Sequence, residues 1–226
     1  MRTAALVFDL DDTLFPECEF VRSGFYAVDG WLQDQRAVAG FAAEAQRLFA
    51  EGARGRIFDE ALRRLGVEGA AQLISPMVTV YRTHAPQLAL YPDAKWAIEH
   101  FRGRFKLGLI TDGYAQTQRN KVASLGIGGG FDAVVFTDDL GRAHWKPSPE
   151  PYRRMMAALG CPGPDCVYVG DNPAKDFVAA NRLGWLTVQL TREDGEYGRV
   201  AADALPADHQ AAHVIKSLHD LTEILS

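Results

Sequence analysis

The chain has 226 residues, of which 47% are hydrophobic and 23% are charged, as is typical of a soluble globular protein with a substantial core. Its net charge of −5 at pH 7 argues against a nucleic acid as the main partner, because a polyanion is repelled by an acidic surface. Neither a signal peptide nor an apolar run of membrane-spanning length is visible, so we expect a cytoplasmic protein with no membrane partner.

The first predicted element is a buried strand, the apolar run AALVF at residues 4–8, and acidic residues follow it closely. Asp9, Asp11 and Asp12 place three like charges at the strand end, which costs stability unless a cation or a reaction compensates. Asp9 and Asp11 lie on the same side of an extended chain, and Thr13 follows them, whereas we expect Asp12 to point away. The pattern therefore predicts a functional site that contains a cation.

Residues 16–90 show helical periodicity and no convincing strand pattern. Apolar side chains recur on one helical stripe in each of three segments, 20–32, 57–65 and 74–81. We therefore predict a helical cap at residues 16–90, inserted into a catalytic core that comprises residues 1–15 and 91–226.

The rest of the chain alternates between strand and helix patterns. Apolar runs predict strands at 106–111, 133–136, 166–170 and 185–190, and a polar loop at 191–211 precedes a short last strand and a helix at 220–225. Three helices are predicted between them. One ends at Gly126, one has Ser148 as N-cap and Pro149 in its first turn and ends at Gly160, and one starts at Pro173 after the capping residue Asn172 and stops at Gly184. This alternation predicts a doubly wound α/β core with a parallel sheet.

Polar side chains follow the central strands of this sheet at the point where each strand ends. Thr111 and Asp112 follow the second strand, and Lys146 lies in the loop beyond the third. Asp171 and Asp176 follow the fourth strand. Because ligands bind beyond the carboxyl ends of parallel strands, we expect these groups to converge. Carboxylates from several strands make an oxygen site suited to Mg²⁺, so the sequence predicts Mg²⁺ beside a lysine.

Four short motifs occur in order at these strand ends: DLDDT, ITDG, WKPSPEPY and GDNPAKD. Together they resemble the signature motifs of the haloacid dehalogenase-like (HAD) superfamily, over about residues 4–190. The resemblance implies a Rossmann-like core, and members of this superfamily often carry a cap at the place of the helical insertion. It also implies a Mg²⁺-dependent enzyme that forms an aspartyl-phosphate.

The resemblance implies catalytic roles for two acids and a metal site that includes them. Asp9 corresponds to the nucleophile, and Asp11 to the general acid and base. The metal ligands would be Asp9, the backbone carbonyl of Asp11 and Asp171. Asp176 corresponds to the second acid of its motif, either a direct ligand or one shell further out.

The resemblance also implies a phosphate site. Thr111 and Lys146 correspond to catalytic groups that hold the phosphoryl oxygens, and Lys146 would reduce the repulsion between the phosphate and Asp9. Backbone N–H groups around Asp11, Asp112 and Gly113 would complete a phosphate nest.

Several reactions occur on this scaffold, and Asp11 separates them. Family dehalogenases have no acid at this place, and the ion-pump ATPases have a threonine there and need large membrane domains. Phosphomonoester hydrolysis is therefore expected, with a sugar-phosphate mutase as the alternative. Phosphonate cleavage is less favoured, because residues 16–90 contain no lysine for an imine. A non-catalytic binding protein is a further alternative, against which the complete acid set argues.

The sequence indicates a small phosphorylated metabolite as substrate, because a closing cap excludes protein surfaces. It does not choose between a sugar phosphate and a nucleoside monophosphate, and it does not predict the oligomeric state. Candidate specificity residues are Phe15, Glu19, Phe20, Arg22, Arg54, Arg82 and His84. We expect His209 and His213 to lie at the surface, and Cys18, Cys161 and Cys166 to be reduced thiols.

Overall fold

A computed structural model describes residues 3–193, 195 and 206–226 of the chain. Its sheet has six parallel strands in the order β3-β2-β1-β4-β5-β6. The strands are β1 (Ala5–Phe8), β2 (Lys106–Thr111), β3 (Ala133–Phe136), β4 (Cys166–Gly170), β5 (Leu186–Leu190) and β6 (His213–Ile215). The predicted doubly wound α/β core is confirmed, and each strand lies within one residue of its predicted position where bounds were given.

Four helices follow β1 before the chain reaches the helices that cover the sheet. They are α1 (Glu17–Arg36), α2 (Phe41–Ala50), α3 (Ile57–Arg64) and α4 (Ala70–Thr83). The remaining helices cover the sheet: α5 (Pro92–Phe101), α6 (Ala115–Leu125), α7 (Glu150–Leu159), α8 (Phe177–Arg182) and α9 (Leu221–Ile224). In the part of the chain that the structure describes, no helix is long and apolar enough to cross a bilayer.

Apolar side chains on both faces of the sheet explain why β1 reads as an unbroken hydrophobic run. Leu6 and Phe8 point into a cluster that includes Phe101 of α5, whereas Val7 packs in a second cluster with Tyr152 and Met155 of α7. All four residues of β1 are buried. The central strand is therefore covered by helices on both sides, as a parallel sheet requires.

The helices α1 to α4 build an apolar cluster of their own. Phe25, Val28 and Leu32 of α1 pack with Phe41 of α2 and Met77 of α4 in that cluster. All four helices fall inside the predicted insertion, so the helical character of this segment agrees with its periodicity. The division of the chain into a core and a cap at residues 16 and 90 stays a prediction.

Two predicted helix starts in the motif segments come too early, one by a single residue and the other by four. α7 begins at Glu150 with Pro149 as N-cap, and the Ser148 hydroxyl only accepts a 3.3 Å hydrogen bond from the Glu150 N–H. α8 begins at Phe177 instead of Pro173, because Asn172 closes a local turn in which its side chain accepts the Ala174 N–H at 3.0 Å.

Two of the predicted helix ends, at Gly126 and Gly160, are confirmed. Gly126 and Gly160 both adopt the left-handed conformation that ends a helix, at φ 66° and 62°. The predicted last strand is β6, and the helix predicted at 220–225 is α9. Of the predicted loop at 191–211, residues 194 and 196–205 lie outside the described residues.

Gly163 lets the loop before β4 approach the chain at the end of α8. A Cβ atom at this position would overlap the backbone carbonyl oxygen of Leu183, which cannot turn away as a side chain can. A Cβ at Gly129, in contrast, would meet nothing within 4 Å. Both glycines lie in short 3₁₀ turns, but only at Gly163 is there no room for a Cβ atom.

We predict that Gly163→Ala lowers the free energy of unfolding by about 1–3 kcal/mol, because the backbone must shift to admit the methyl group. Gly129→Ala is the matched control and should change that free energy by less than about 0.5 kcal/mol. Urea denaturation of both variants measures the difference. Equal stability of the two would contradict the close approach at Gly163.

Candidate active site

The ammonium group of Lys146 lies buried at the carboxyl end of the sheet, surrounded by acceptors. It donates hydrogen bonds to Asp9 Oδ1 at 2.5 Å, Asp176 Oδ1 at 2.8 Å and the Tyr168 hydroxyl at 2.9 Å. Burial alone would lower the pKa of Lys146, but the charges of Asp176 and Asp9 outweigh it and hold that pKa well above its ordinary value. Lys146 is therefore a permanent cation beside Asp9.

Three carboxylates meet beside this cation. Asp9, Asp171 and Asp176 are buried, and each offers an oxygen within 4.8 Å of the others. Burial raises the pKa of Asp9 to about 7, although Lys146 lowers it in part. Burial, followed by the charges of Asp176 and Asp9, also raises the pKa of Asp171 well above its usual range. The charge of Lys175 also lowers the pKa of Asp9 and of Asp171. Two ammonium groups do not balance three acids, and a hard divalent cation with oxygen ligands fits this donor set.

Hydrogen bonds from the surrounding protein fix Asp176 in its position within the cluster. Its Oδ1 accepts from Lys146, and its Oδ2 accepts the backbone N–H of Asn172 at 2.9 Å. Its backbone carbonyl accepts the Tyr152 hydroxyl at 2.6 Å. A Cβ at Gly170 would come within 2.6 Å of Asp176 Oδ2, so glycine at that position is what admits the carboxylate.

The Asp11 side chain does not join the acidic cluster. Its Oδ1 accepts a 2.6 Å hydrogen bond from Lys121 Nζ, and its Oδ2 accepts one of 2.8 Å from Gln118 Nε2. The same Gln118 amide donates to Thr111 Oγ1 at 2.5 Å, so one side chain connects Asp11 with Thr111. Gln118 and Lys121 were not among the site residues predicted from the sequence. Their local signal is two long polar side chains three residues apart on a predicted helix, and the structure shows that both lie on its sheet side.

Asp112 and Gly113 shape the loop after β2. Asp112 Oδ1 accepts from the Thr137 hydroxyl at 2.7 Å and from the Lys146 backbone N–H at 3.0 Å, which fixes the loop that carries the lysine. Lys175 Nζ lies 3.5 Å from Asp112 Oδ2. Gly113 has a φ of 130°, a conformation that L side chains rarely adopt. The predicted phosphate nest in this loop stays a prediction.

Asp12 and Thr13 have positions outside the acidic cluster. Asp12 Oδ1 accepts the backbone N–H of Glu17 at 2.8 Å, at the start of α1. The Thr13 side chain is fully buried, and its backbone carbonyl accepts from Arg192 at 3.0 Å. Arg192 also makes a bidentate pair with Asp93, at 2.9 and 3.0 Å, and so ties the chain after β1 to α5.

The candidate specificity residues fall into separate places. Arg54 and Arg82 line a cavity of about 970 Å³ that reaches from Asp12 and Glu17 into the helices α1 to α4. A second groove is lined by three others, Glu19, Arg22 and His84. Phe15 and Phe20 are buried in the apolar cluster of the core.

The predicted surface histidines and free thiols are placed as follows. His209 is partly buried and lies with Nδ1 3.2 Å from the Pro173 carbonyl oxygen, whereas His213 is exposed in β6. Cys18, Cys161 and Cys166 are free. Among the described residues, Asp9, Asp171 and Asp176 are the one group with metal-site spacing.

The sequence profile of the haloacid dehalogenase-like hydrolase family matches residues 3–184. The chain therefore belongs to this family and is a hydrolase. The fold agrees, because a solved HAD-superfamily hydrolase of Geobacter sulfurreducens superposes with a TM-score of 0.70 at 18% identity, over 99% of this chain and 97% of that one.

Two similar relatives carry the same name. The glyceraldehyde 3-phosphate phosphatase of Methanopyrus kandleri is 33% identical over 202 residues, which cover 85% of each chain. The glyceraldehyde 3-phosphate phosphatase of Methanocaldococcus jannaschii is 28% identical over 228 residues, which cover 97% of this chain and 96% of the relative. Sequence similarity to phosphatases thus extends over nearly the whole length of the chain.

We predict that Asp171→Asn stabilises the metal-free protein and removes its response to Mg²⁺. The amide keeps the shape of the carboxylate but ends its repulsion with Asp9 and Asp176, and each kcal/mol gained should raise Tm by about 2–4 °C. In the unsubstituted protein, Mg²⁺ at 100 times its Kd should add about 2.7 kcal/mol.

Thermal unfolding with EDTA and with Mg²⁺ checks both effects. Asp34→Asn, which changes an exposed acid of α1, is the control and should retain the full Mg²⁺ response. An Asp171→Asn protein that is still stabilised by Mg²⁺ to the same extent would contradict the metal site.

Proposed function

We propose that this protein is a Mg²⁺-dependent phosphomonoester hydrolase that acts on a small sugar phosphate through an aspartyl-phosphate on Asp9. The observation that carries the proposal is the contact between the Asp9 carboxylate and the buried Lys146 ammonium inside a cluster of acids. The names of the two relatives support a phosphorylated three-carbon sugar over a nucleoside monophosphate, and support hydrolysis over the mutase reaction. We place this activity in the cytoplasm.

The first step transfers the phosphoryl group to Asp9. A carboxylate oxygen of Asp9 forms the bond to phosphorus while the bond from phosphorus to the substrate oxygen breaks. Lys146 offsets the repulsion between the anionic substrate and Asp9, and the Thr111 hydroxyl orients a phosphoryl oxygen. The departing oxygen takes a proton from Asp11, so the alcohol leaves neutral.

The second step reverses the role of Asp11. Water attacks phosphorus and gives its proton to Asp11, and the bond from phosphorus to Asp9 breaks. Inorganic phosphate leaves, and Asp9 is regenerated as a carboxylate.

Two side chains and one backbone carbonyl would hold the metal directly, and a third carboxylate would lie behind them. Asp9 and Asp171 are proposed as direct ligands together with the backbone carbonyl of Asp11. Asp176 is proposed to act from outside the first shell, because both of its oxygens already accept hydrogen bonds within the protein. When bound, Mg²⁺ would neutralise negative charge on the oxygens of the phosphoryl group during its transfer.

The helices α1 to α4 are proposed to act as the cap that closes over this site. The cavity that reaches from Asp12 and Glu17 into these helices supports that assignment, because it places inserted residues beside the strand end. Arg54 and Arg82 are the proposed cap contacts for the part of the substrate beyond the phosphate.

We expect hydrolysis of p-nitrophenyl phosphate and of glyceraldehyde 3-phosphate to require Mg²⁺ and Asp9. Asp9→Asn should raise the activation barrier by at least about 5 kcal/mol and so abolish turnover, because the amide cannot form the phospho-enzyme. Phosphate release measures turnover, and mass spectrometry after acid quench locates the trapped phosphoryl group. Full activity in EDTA, or a phosphoryl group on another residue, would contradict the mechanism.

Asp11→Asn should slow both chemical steps by about a hundredfold or more while substrate binding survives. The loss in the first step should depend on the leaving group. An alkyl phosphate releases a strongly basic oxygen that needs the proton, whereas p-nitrophenolate leaves readily without it. Single-turnover kinetics with both substrates measures this, and equal slowing for the two would rule out Asp11 as the general acid.

A further inference from the structure

The carboxylate of Asp11 is held at both oxygens by side chains of α6. Lys121 donates to Oδ1 at 2.6 Å, and Gln118 donates to Oδ2 at 2.8 Å. Two donors on opposite oxygens prevent the carboxylate from rotating, which one donor would not do. The orientation of Asp11 therefore depends on two residues outside the four motifs.

Lys121 is itself fixed in place. Its side chain is only 3% exposed, so its charge depends on the partners that the protein supplies. Besides Asp11, these are Glu17, whose Oε1 lies 3.6 Å away, and the ring of Phe20, whose centroid lies 4.5 Å from Nζ. The Phe15 ring lies further off, at 5.7 Å. Among the described residues, Asp11 alone places a carboxylate within hydrogen-bond distance of this ammonium group.

Gln118 couples the same carboxylate to the phosphate site. Its amide nitrogen donates both to Asp11 and to Thr111 Oγ1, and the residue is 1% exposed. The distance between the acid and the threonine is thus set by one rigid amide. Lys121 has no such link to Thr111, so the two residues of α6 affect the reaction differently.

We infer that Lys121 and Gln118 are positioning residues that hold Asp11 ready to take the proton of the attacking water when the phospho-enzyme is hydrolysed. Both contacts present hydrogen-bond donors to the carboxylate, which is the form in which Asp11 acts as a base. In that step the water oxygen bonds to phosphorus, its proton passes to Asp11, and Asp9 departs with the electron pair of the broken bond. The inference rests on the proposed function and extends it to α6.

Lys121→Met should slow the hydrolysis of the phospho-enzyme by about tenfold to a hundredfold, because the carboxylate loses one of its two supports. With p-nitrophenyl phosphate, the variant should release a burst of about one p-nitrophenolate per enzyme and then turn over slowly. Since the burst step precedes the damaged one, kcat and KM should fall together while kcat/KM stays nearly unchanged. A purely structural defect would lower the burst amplitude and kcat/KM as well.

Three further variants sharpen the test. Lys121→Arg keeps the charge and the donors and should recover part of the lost rate. Lys95→Met removes an exposed lysine of α5 and should have no effect. Gln118→Leu should lower kcat/KM together with kcat, because it also releases Thr111. If Lys121→Met proves unfolded in thermal unfolding, Lys121→Gln takes its place.

A double-mutant cycle shows whether Lys121 acts through Asp11. In an Asp11→Asn background, Lys121→Met should cause no further loss in the decay rate of the trapped phospho-enzyme. The inference would be overturned if the two substitutions together slowed this decay by the product of their separate effects. It would also be overturned if Lys121→Met gave no burst and a reduced kcat/KM. Either result would leave the proposed function intact. An unsubstituted protein that hydrolyses no phosphomonoester would overturn both.

Discussion

The buried ammonium of Lys146 is the interaction on which the site depends. It contacts Asp9 after β1, Tyr168 of β4 and Asp176 before α8, so one charge joins three separate parts of the chain. Without it, three buried carboxylates would face one another with little compensation. Its own loop is fixed through Asp112, which accepts the Lys146 backbone N–H. Asp112 of the ITDG motif thus positions Lys146 of the WKPSPEPY motif, and Lys146 offsets part of the negative charge of Asp9 and Asp176.

The order of the strands makes this convergence possible. β1 lies between β2 and β4, and the register pairs Phe8 with Leu109 on one side and with Val169 on the other. Residues just beyond these pairs therefore emerge at one edge of the sheet. Because a parallel sheet must be covered on both faces, its strands are mainly apolar, and most of the site's polar groups come from the loops that follow them. Thr111 at the end of β2 and Tyr168 in β4 are the strand residues that take part.

The elements that were predictable are those with strong local signals. The strands are short apolar runs, and Gly126 and Gly160 end their helices because glycine adopts the left-handed conformation at little cost. The start of α8 was not predictable from Pro173, since the turn is closed by the side chain of Asn172. Gln118 and Lys121 escaped notice because a polar residue on a helix reads as exposed until the packing of that helix on the sheet is known. Their partner Asp11 is more than one hundred residues away in the chain, at a separation of 107 and 110 positions.

The contact of Lys121 with Glu17 and Phe20 has a consequence for protein engineering. Both partners belong to α1, the first of the four helices that follow β1, whereas Lys121 belongs to α6. A chimera that takes α1 to α4 from a relative would replace the partners of Lys121 together with the residues of these helices that line the 970 Å³ cavity. A graft that starts after Phe20 would leave these contacts in place. The useful boundary for transplanting specificity between such enzymes therefore lies inside α1, one turn beyond its beginning.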